Sequence, residues 1–207
     1  MQSEKVDKVF TYLTRLYGKD PRCELEYSTA IDLLVAIILS AQCTDKRVNI
    51  VTRDLFKKYK TIADYANADI DVFEKEIYST GFYKNKSKNI IALCKVIETD
   101  FGGEIPRDIE ILSTMPGIGR KTASVFVAEF HKDPAVAVDT HVIRVANRLG
   151  FTESLNPIQI ERDLKQIFDR ENWARYHFQV VLFGRYMCTA KNPKCATCEI
   201  KHYCKNA

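Results

Sequence analysis

The sequence predicts an all-α protein. Apolar residues recur at three- and four-residue spacing in segment after segment, and helix start and stop signals bracket those segments. No stretch shows the strict alternation of a half-buried strand, and there is no internal repeat or low-complexity tract. At 207 residues and 46% hydrophobic content the chain can bury a real core as one large or two small domains.

Each element can be justified in turn. Val6, Val9, Phe10, Leu13 and Leu16 share a helical spacing that Gly18 and Pro21 bring to an end. Thr29 followed by Asp32 has the form of a capping box, and Ile31, Leu33, Leu34, Ile37, Ile38 and Leu39 cover nearly every face of the next helix, which predicts a central, buried rod. Small and polar residues from Ser40 to Asp45 then place Gln42 on a short loop, before a helix with Val48, Leu55, Phe56 and Tyr59 inward. Thr61 with Asp64 suggests another cap, Asp69 opens a short helix through Ile77, and Gly81 stops it. Phe82 and Tyr83 lead into Lys84, Lys86 and Lys88, and Ile90, Cys94 and Ile97 mark one face of the helix that follows. Aromatics beside lysines suit stacking and phosphate contact; a buried Phe82 with a solvated lysine face is the alternative. Beyond Gly102-Gly103 a short segment with Ile109 and Leu112 reaches Pro116. Later helices begin near Asp139 (Val142, Val145, Ala146 and Leu149, closed by Gly150), at Asn156-Pro157 (Ile160, Leu164, Ile167, Phe168) and near Trp173 (Tyr176, Val180, Phe183, Met187).

Charge and cysteine usage narrow the class. A formal net charge of +4 permits a nucleic-acid partner without requiring one. Of seven cysteines, Cys23, Cys43 and Cys94 are scattered and four fall in the last twenty residues, a pattern of metal ligation rather than of a disulfide framework. The first residues carry no apolar or Arg-rich targeting pattern, and no run is long enough to span a membrane. A soluble, cytoplasmic protein with no membrane partner is expected.

The stretch from Met115 to His141 carries the chemistry. Pro116 fixes its own φ, whereas Gly117 and Gly119 can take positive φ and leave no side chain between their amides and a ligand, so a tight hairpin is predicted. A mostly apolar helix starts at Arg120, which puts free N–H groups at a helix N-terminus, a place suited to a phosphodiester. Lys121 lies in its first turn, where the macrodipole opposes a cation and apolar neighbours would penalise the charge further; both effects favour the neutral, nucleophilic amine. Taken singly, the hairpin could be only a turn, Lys121 a surface cation and Asp139 a helix cap.

The last four cysteines, Cys188, Cys195, Cys198 and Cys204, have six, two and five residues between them. Four close thiolates suit either structural zinc or an iron–sulfur cluster.

The Pro-Gly-Ile-Gly hairpin, Lys121 just inside the helix, Val138-Asp139-Thr140 eighteen residues on, and this cysteine spacing together resemble the endonuclease III branch of the helix-hairpin-helix DNA glycosylases. Almost the whole chain shares the resemblance, including Leu39-Ser40-Ala41-Gln42 and the loop from Gly81 to Lys88. It implies two helical domains: a six-helix domain with the helix-hairpin-helix over residues 21–132, and a discontinuous one from residues 1–20 and 133–207 whose loop 188–204 holds a [4Fe–4S] cluster. Double-stranded DNA with a damaged base or an abasic site is the implied partner, bound by a monomer across the cleft between the domains. In a bacterium the protein would be nucleoid-associated.

Carried over residue by residue, the resemblance makes Lys121 and Asp139 catalytic and gives DNA contacts to Gln42, Phe82, Gly117, Gly119, Arg120 and Lys191. Gln42 would fill the gap left by an extruded nucleotide and Phe82 would wedge into the opposite strand, where leucine is the family's residue; Cys43 stands in place of alanine. The implied activity is that of a bifunctional DNA glycosylase and AP lyase of base excision repair, which releases oxidised pyrimidines through a Lys121 Schiff base and nicks by β-elimination. A relative acting on pyrimidine dimers or mismatched thymine, and a noncatalytic DNA-binding module, are the alternatives. A monofunctional adenine glycosylase fits less well, since Lys121 is present and no second domain follows the cluster loop.

Overall fold

The structure is a computed structural model that describes residues 2–206. Among these the chain is helical, with no strand. In chain order the helices are α1 (Gln2–Tyr17), α2 (Ala30–Leu39), α3 (Asp45–Lys58), α4 (Ile62–Ala66), α5 (Ile70–Ile77), α6 (Tyr83–Phe101), α7 (Ile109–Ser113), α8 (Arg120–Phe126), α9 (Thr140–Arg148), α10 (Pro157–Ile167) and α11 (Trp173–Tyr186). Short 3₁₀ turns precede α6 and α11 and recur in the C-terminal loop, and α8 runs on into a π turn, Val127–His131. No described helix is long and apolar enough to cross a membrane. The chain divides into two compact units, Glu24–His131, and Met1–Cys23 with Lys132–Ala207.

In the first of these, α2 forms the centre because its sequence leaves it no polar face. Ile31 to Leu39 are all buried. Its start is fixed by the capping box: the Thr29 hydroxyl accepts the Asp32 amide at 3.2 Å while Asp32 accepts the Thr29 amide at 2.9 Å, which satisfies donors the helix cannot pair itself. Around α2 pack the inward faces of α3 (Val48, Leu55), α6 (Ile90, Leu93, Cys94, Ile97) and α8 (Ala123, Phe126), and α5 (Phe73, Ile77) packs on α6 and α3. Tyr59 stacks on Tyr65 at 5.1 Å with Phe73 edge-on to both. Burial pushes the Cys94 thiol up to about 12, so this cysteine is an inert core residue. Glu129, in the π turn, is also buried, and the Tyr27 hydroxyl donates to it at 2.7 Å.

The other unit is built from α1, α9, α10 and α11. Val9 and Leu13 of α1, Val142, Val145 and Ala146 of α9, Ile160 and Leu164 of α10, and Val180 and Phe183 of α11 share one core. Leu16, expected inward from its spacing, is solvent-exposed, and Tyr17 beside it packs against that core instead. Gln179 of α11, fully buried, donates to the Gly18 carbonyl at 2.7 Å and the Thr14 hydroxyl at 3.1 Å, so it holds the C-terminal end of α1 against α11.

Truncating α2 should cost the most. Leu34→Ala removes a fully buried side chain from the central helix and is expected to destabilise the fold by about 2–5 kcal/mol, read as a lowered urea midpoint with unchanged slope.

Candidate functional site

The helix-hairpin-helix is α7, the turn from Thr114 to Gly119, and α8. Met115 and Ile118 anchor the turn by burial, and the Ile118 amide donates to the Met115 carbonyl at 3.1 Å. The two glycines do different work. Gly117 has φ +74, and a Cβ there would stand 2.7 Å from the Asn89 Cβ, so only glycine fits. Gly119 has an ordinary φ of −97 and open space where a Cβ would be; its lack of a side chain leaves room in front of the first turn of α8 and is not a backbone requirement. Gly119 opens α8 with no side-chain cap, so the first amides of the helix have no capping oxygen from a side chain.

Arg120 forms an ion pair with Glu110 on the surface. Lys121 is exposed in the first turn of α8. The apolar residues of α8 that are buried, Ala123 and Phe126, lie on another side of the helix, and what remains for the amine is the N-terminal end of α8.

Two other residues assigned to DNA share an unusual backbone. Gln42 (φ 54) and Phe82 (φ 50) are exposed, and they are two of the four described non-glycine residues with left-handed φ. Such conformations persist only where the surroundings impose them. Phe82 is 62% exposed, which rules out the buried alternative, and Tyr83 beside it packs on the exposed Tyr78 with ring centroids 4.8 Å apart. Lys84 and Lys88 are exposed, but Lys86 is buried at 5% exposure, donating to the Leu39 carbonyl at 2.7 Å and the Thr80 carbonyl at 2.9 Å. Its place in an exposed basic run is thereby corrected. The signal was present in the spacing: Lys86, Ile90, Cys94 and Ile97 fall on one helix face, and that face is buried.

In the other unit Asp139 is half-buried and caps α9, its Oδ1 accepting the Val142 amide at 2.8 Å. The cap occupies one carboxylate oxygen. From the same helix Arg144 and Arg148, four residues apart, reach the cysteine loop, two roles that the sequence reading missed. Arg144 donates to the carbonyls of Gly184 at 2.7 Å and Cys188 at 3.0 Å; Arg148 donates to the Thr189 carbonyl at 2.9 Å and the Cys188 sulfur at 3.2 Å. Beyond Cys204 the Lys205 amide returns to the Arg148 carbonyl at 2.7 Å. Lys191 is exposed in the segment between Cys188 and Cys195.

All four C-terminal cysteines line one cavity, walled by Leu149, Phe183, Met187, Pro193 and Ile200. Among the described residues, no three His, Cys, Asp or Glu side chains form a group that could hold a single metal ion. Four thiols set around a shared apolar cavity suit a larger, multi-atom group. Burial pushes the Cys198 thiol up, and the charges of Cys188, Cys195 and Cys204 add to that, so thiolates here call for a cationic guest. Arg148 at the Cys188 sulfur supplies one hydrogen bond of the kind that stabilises cluster ligands.

Residues 35–170 match the family described as HhH-GPD superfamily base excision DNA repair protein, and residues 188–204 match the iron–sulfur binding domain of endonuclease III. The endonuclease III of Synechocystis sp. is 42% identical over all of this chain and 94% of its own length. Two solved structures, a non-covalent endonuclease III–DNA complex and a trapped endonuclease III–DNA covalent intermediate, each superpose with a TM-score of 0.93 at 40% identity, covering 98% of this chain and 95% of theirs. The chain belongs to the endonuclease III family of the HhH-GPD superfamily. It is a bifunctional DNA glycosylase and AP lyase of base excision repair, and its cofactor is a [4Fe–4S] cluster.

Capping and catalysis at Asp139 can be separated by stability. Asparagine caps a helix as well as aspartate does, so Asp139→Asn should keep the wild-type melting midpoint, whereas Asp139→Ala should lose about 1 kcal/mol. Gly117→Ala should be destabilised as well, because it meets Asn89 and a positive φ together, and differential scanning calorimetry would read both effects.

Proposed function

We propose that this enzyme acts on double-stranded DNA, as a single chain, and removes oxidised pyrimidines with Lys121 as the nucleophile of both its activities. One observation carries the reading. Lys121 is an exposed amine in the first turn of α8, directly behind the hairpin and inside the matched family region. That a relative has been trapped as a covalent intermediate with DNA supports an enzyme-borne nucleophile.

A base inside the stack offers no approach to C1′, so the nucleotide is rotated out, at a cost of a few kcal/mol that is lower where pairing is already weak. Gln42 occupies the gap that results and Phe82 enters the opposite strand. The hairpin amides around Gly117 and Gly119 donate to a phosphate, with Arg120 and Lys191 adding positive charge along the backbone.

Neutral Lys121 Nζ then attacks C1′. The bond from C1′ to the base breaks and the base leaves with its electron pair and a proton. The Asp139 carboxylate stabilises the cationic character of the sugar in that transition state and assists the transfer of protons. The nitrogen lone pair opens the sugar ring to give the Schiff base. Loss of a C2′ proton, acidified by the iminium, expels the 3′ phosphate by β-elimination, and water releases the enzyme. The cluster supplies no step; its ligands Cys188, Cys195, Cys198 and Cys204 hold the C-terminal loop.

Borohydride should cross-link the wild-type protein to duplexes carrying an oxidised pyrimidine or an abasic site, and Lys121→Gln should abolish the cross-link. Efficient trapping by that variant would remove Lys121 from the mechanism. Asp139→Asn should lose at least a hundredfold in turnover with DNA affinity largely kept. A panel of single-lesion duplexes tests the substrate class: preferred release at a pyrimidine dimer or a mismatched thymine would overturn the assignment to oxidised pyrimidines.

A further inference from the structure

Lys86 is a buried cation whose structural bonds lead to both loops that the proposed function assigns to base extrusion. Its ammonium, 5% exposed, donates to the carbonyls of Leu39 and Thr80, at 2.7 and 2.9 Å. Leu39 is the last residue of α2, three before Gln42; Thr80 ends the 3₁₀ turn Tyr78–Thr80, two before Phe82. Gln42 and Phe82 are the described non-glycine residues of this unit with left-handed φ, and neither conformation is one that its own side chain favours.

Lysine chemistry suits the position. Both acceptors are carbonyls at helix ends, where the chain has no further amide to offer and a cation is favoured. A long stem running along the buried face of α6 delivers several N–H donors to one point, and two carbonyls 41 residues apart in sequence are bridged by one atom. An apolar side chain of the same length would fill the space but leave both carbonyls without this donor. Burial pulls the Lys86 pKa down, with Cys43 opposing the shift.

We propose that Lys86 is a positioning residue for base extrusion: it clamps the end of α2 to the turn before α6 and so sets the placement of Gln42 relative to Phe82. It touches no reacting atom. The proposal rests on the gap-filling and wedge roles assigned above to these two residues.

The selective consequence is a defect in opening the helix and not in the chemistry that follows. Lys86→Met and Lys86→Arg would be compared with wild type under single-turnover conditions, with one oxidised pyrimidine placed in a fully paired duplex or within a short unpaired bubble flanked by duplex. Lys86→Met should slow base release from the paired duplex at least tenfold and from the bubble no more than threefold, while Lys86→Arg, which keeps the donors, should recover part of the loss. Leu164→Ala, a core truncation in the other unit, serves as the instability control and should lower both rates by the same factor. Equal losses on the two substrates for Lys86→Met, or no loss, would overturn the clamp. If Lys86→Met does not fold, Lys86→Gln takes its place with the same criterion. Gln42→Ala and Phe82→Ala decide the underlying assignment: normal rates for both on the paired duplex would overturn the loop roles, and the clamp with them. A paired-duplex defect in these two with none in Lys86→Met would overturn the clamp alone.

Discussion

An all-helical chain has no sheet in which to pair its backbone, so the amides that open each helix and the carbonyls that close it must find partners elsewhere. Much of what is distinctive here answers that demand. Thr29 with Asp32 and Thr61 with Asp64 form capping boxes, Asp139 and Asn156 cap α9 and α10, and Gly102 turns the chain off α6 in a left-handed conformation. Where no local side chain serves, a distant one does: Lys86 takes the Leu39 carbonyl, Arg144 takes those of Gly184 and Cys188, and the Lys205 amide takes that of Arg148. Against that background the helices that begin with no side-chain cap gain meaning. α6 starts at Phe82, α8 at Gly119 and α11 at Asn172, and the first two of these are residues proposed to touch DNA. An uncapped helix start at the surface is a place where a ligand's oxygen can substitute for a side chain's.

The fold was legible in the sequence to the extent that it follows from local rules. Caps at Thr29, Thr61, Asp69 and Asp139 can be read from residue type and spacing, and so can the all-round burial of α2, because these depend on neighbours a few positions away. The left-handed backbones of Gln42 and Phe82 could not be read, since neither residue type favours that region and the reason lies in contacts made across the fold. Gly117 was legible as a turn residue but not as one whose absent Cβ faces Asn89. Lys86 shows the limit most clearly: composition placed it in a basic run, while its helical phase, one turn ahead of Ile90, placed it inside. Charge suggested one face and periodicity the other, and burial followed periodicity because two carbonyls were there to receive the charge.

Asp139 and the cysteine loop are joined by α9. Asp139 caps its first turn, and Arg144 and Arg148, from the middle and last turns, hold the segment from Gly184 to Thr189. A helix of nine residues is a rod roughly 13 Å long, stiff on that scale. The approach on α11 is close as well: a Cβ on Gly184 would lie 2.8 Å from the Cβ of His141. Whatever fixes the four cysteines therefore fixes the two arginines that grip their loop, and through α9 the carboxylate at its other end. The loop 188–204 and the Asp139 carboxylate are thus tied to the two ends of one short helix.

Three lysines of one chemical type illustrate how position decides use. Lys86 is enclosed and has both carbonyls it needs, so its charge is spent on holding backbone. Lys191 stands exposed in the cysteine loop, where a solvated cation can follow a phosphate backbone at low conformational cost to the fold. Lys121 is exposed too, but it lies at the positive end of a helix whose first amides have no side-chain cap. The proposed function gives the features that read separately as a turn, a surface lysine and a cap three distinct duties: phosphate contact, nucleophile and carboxylate.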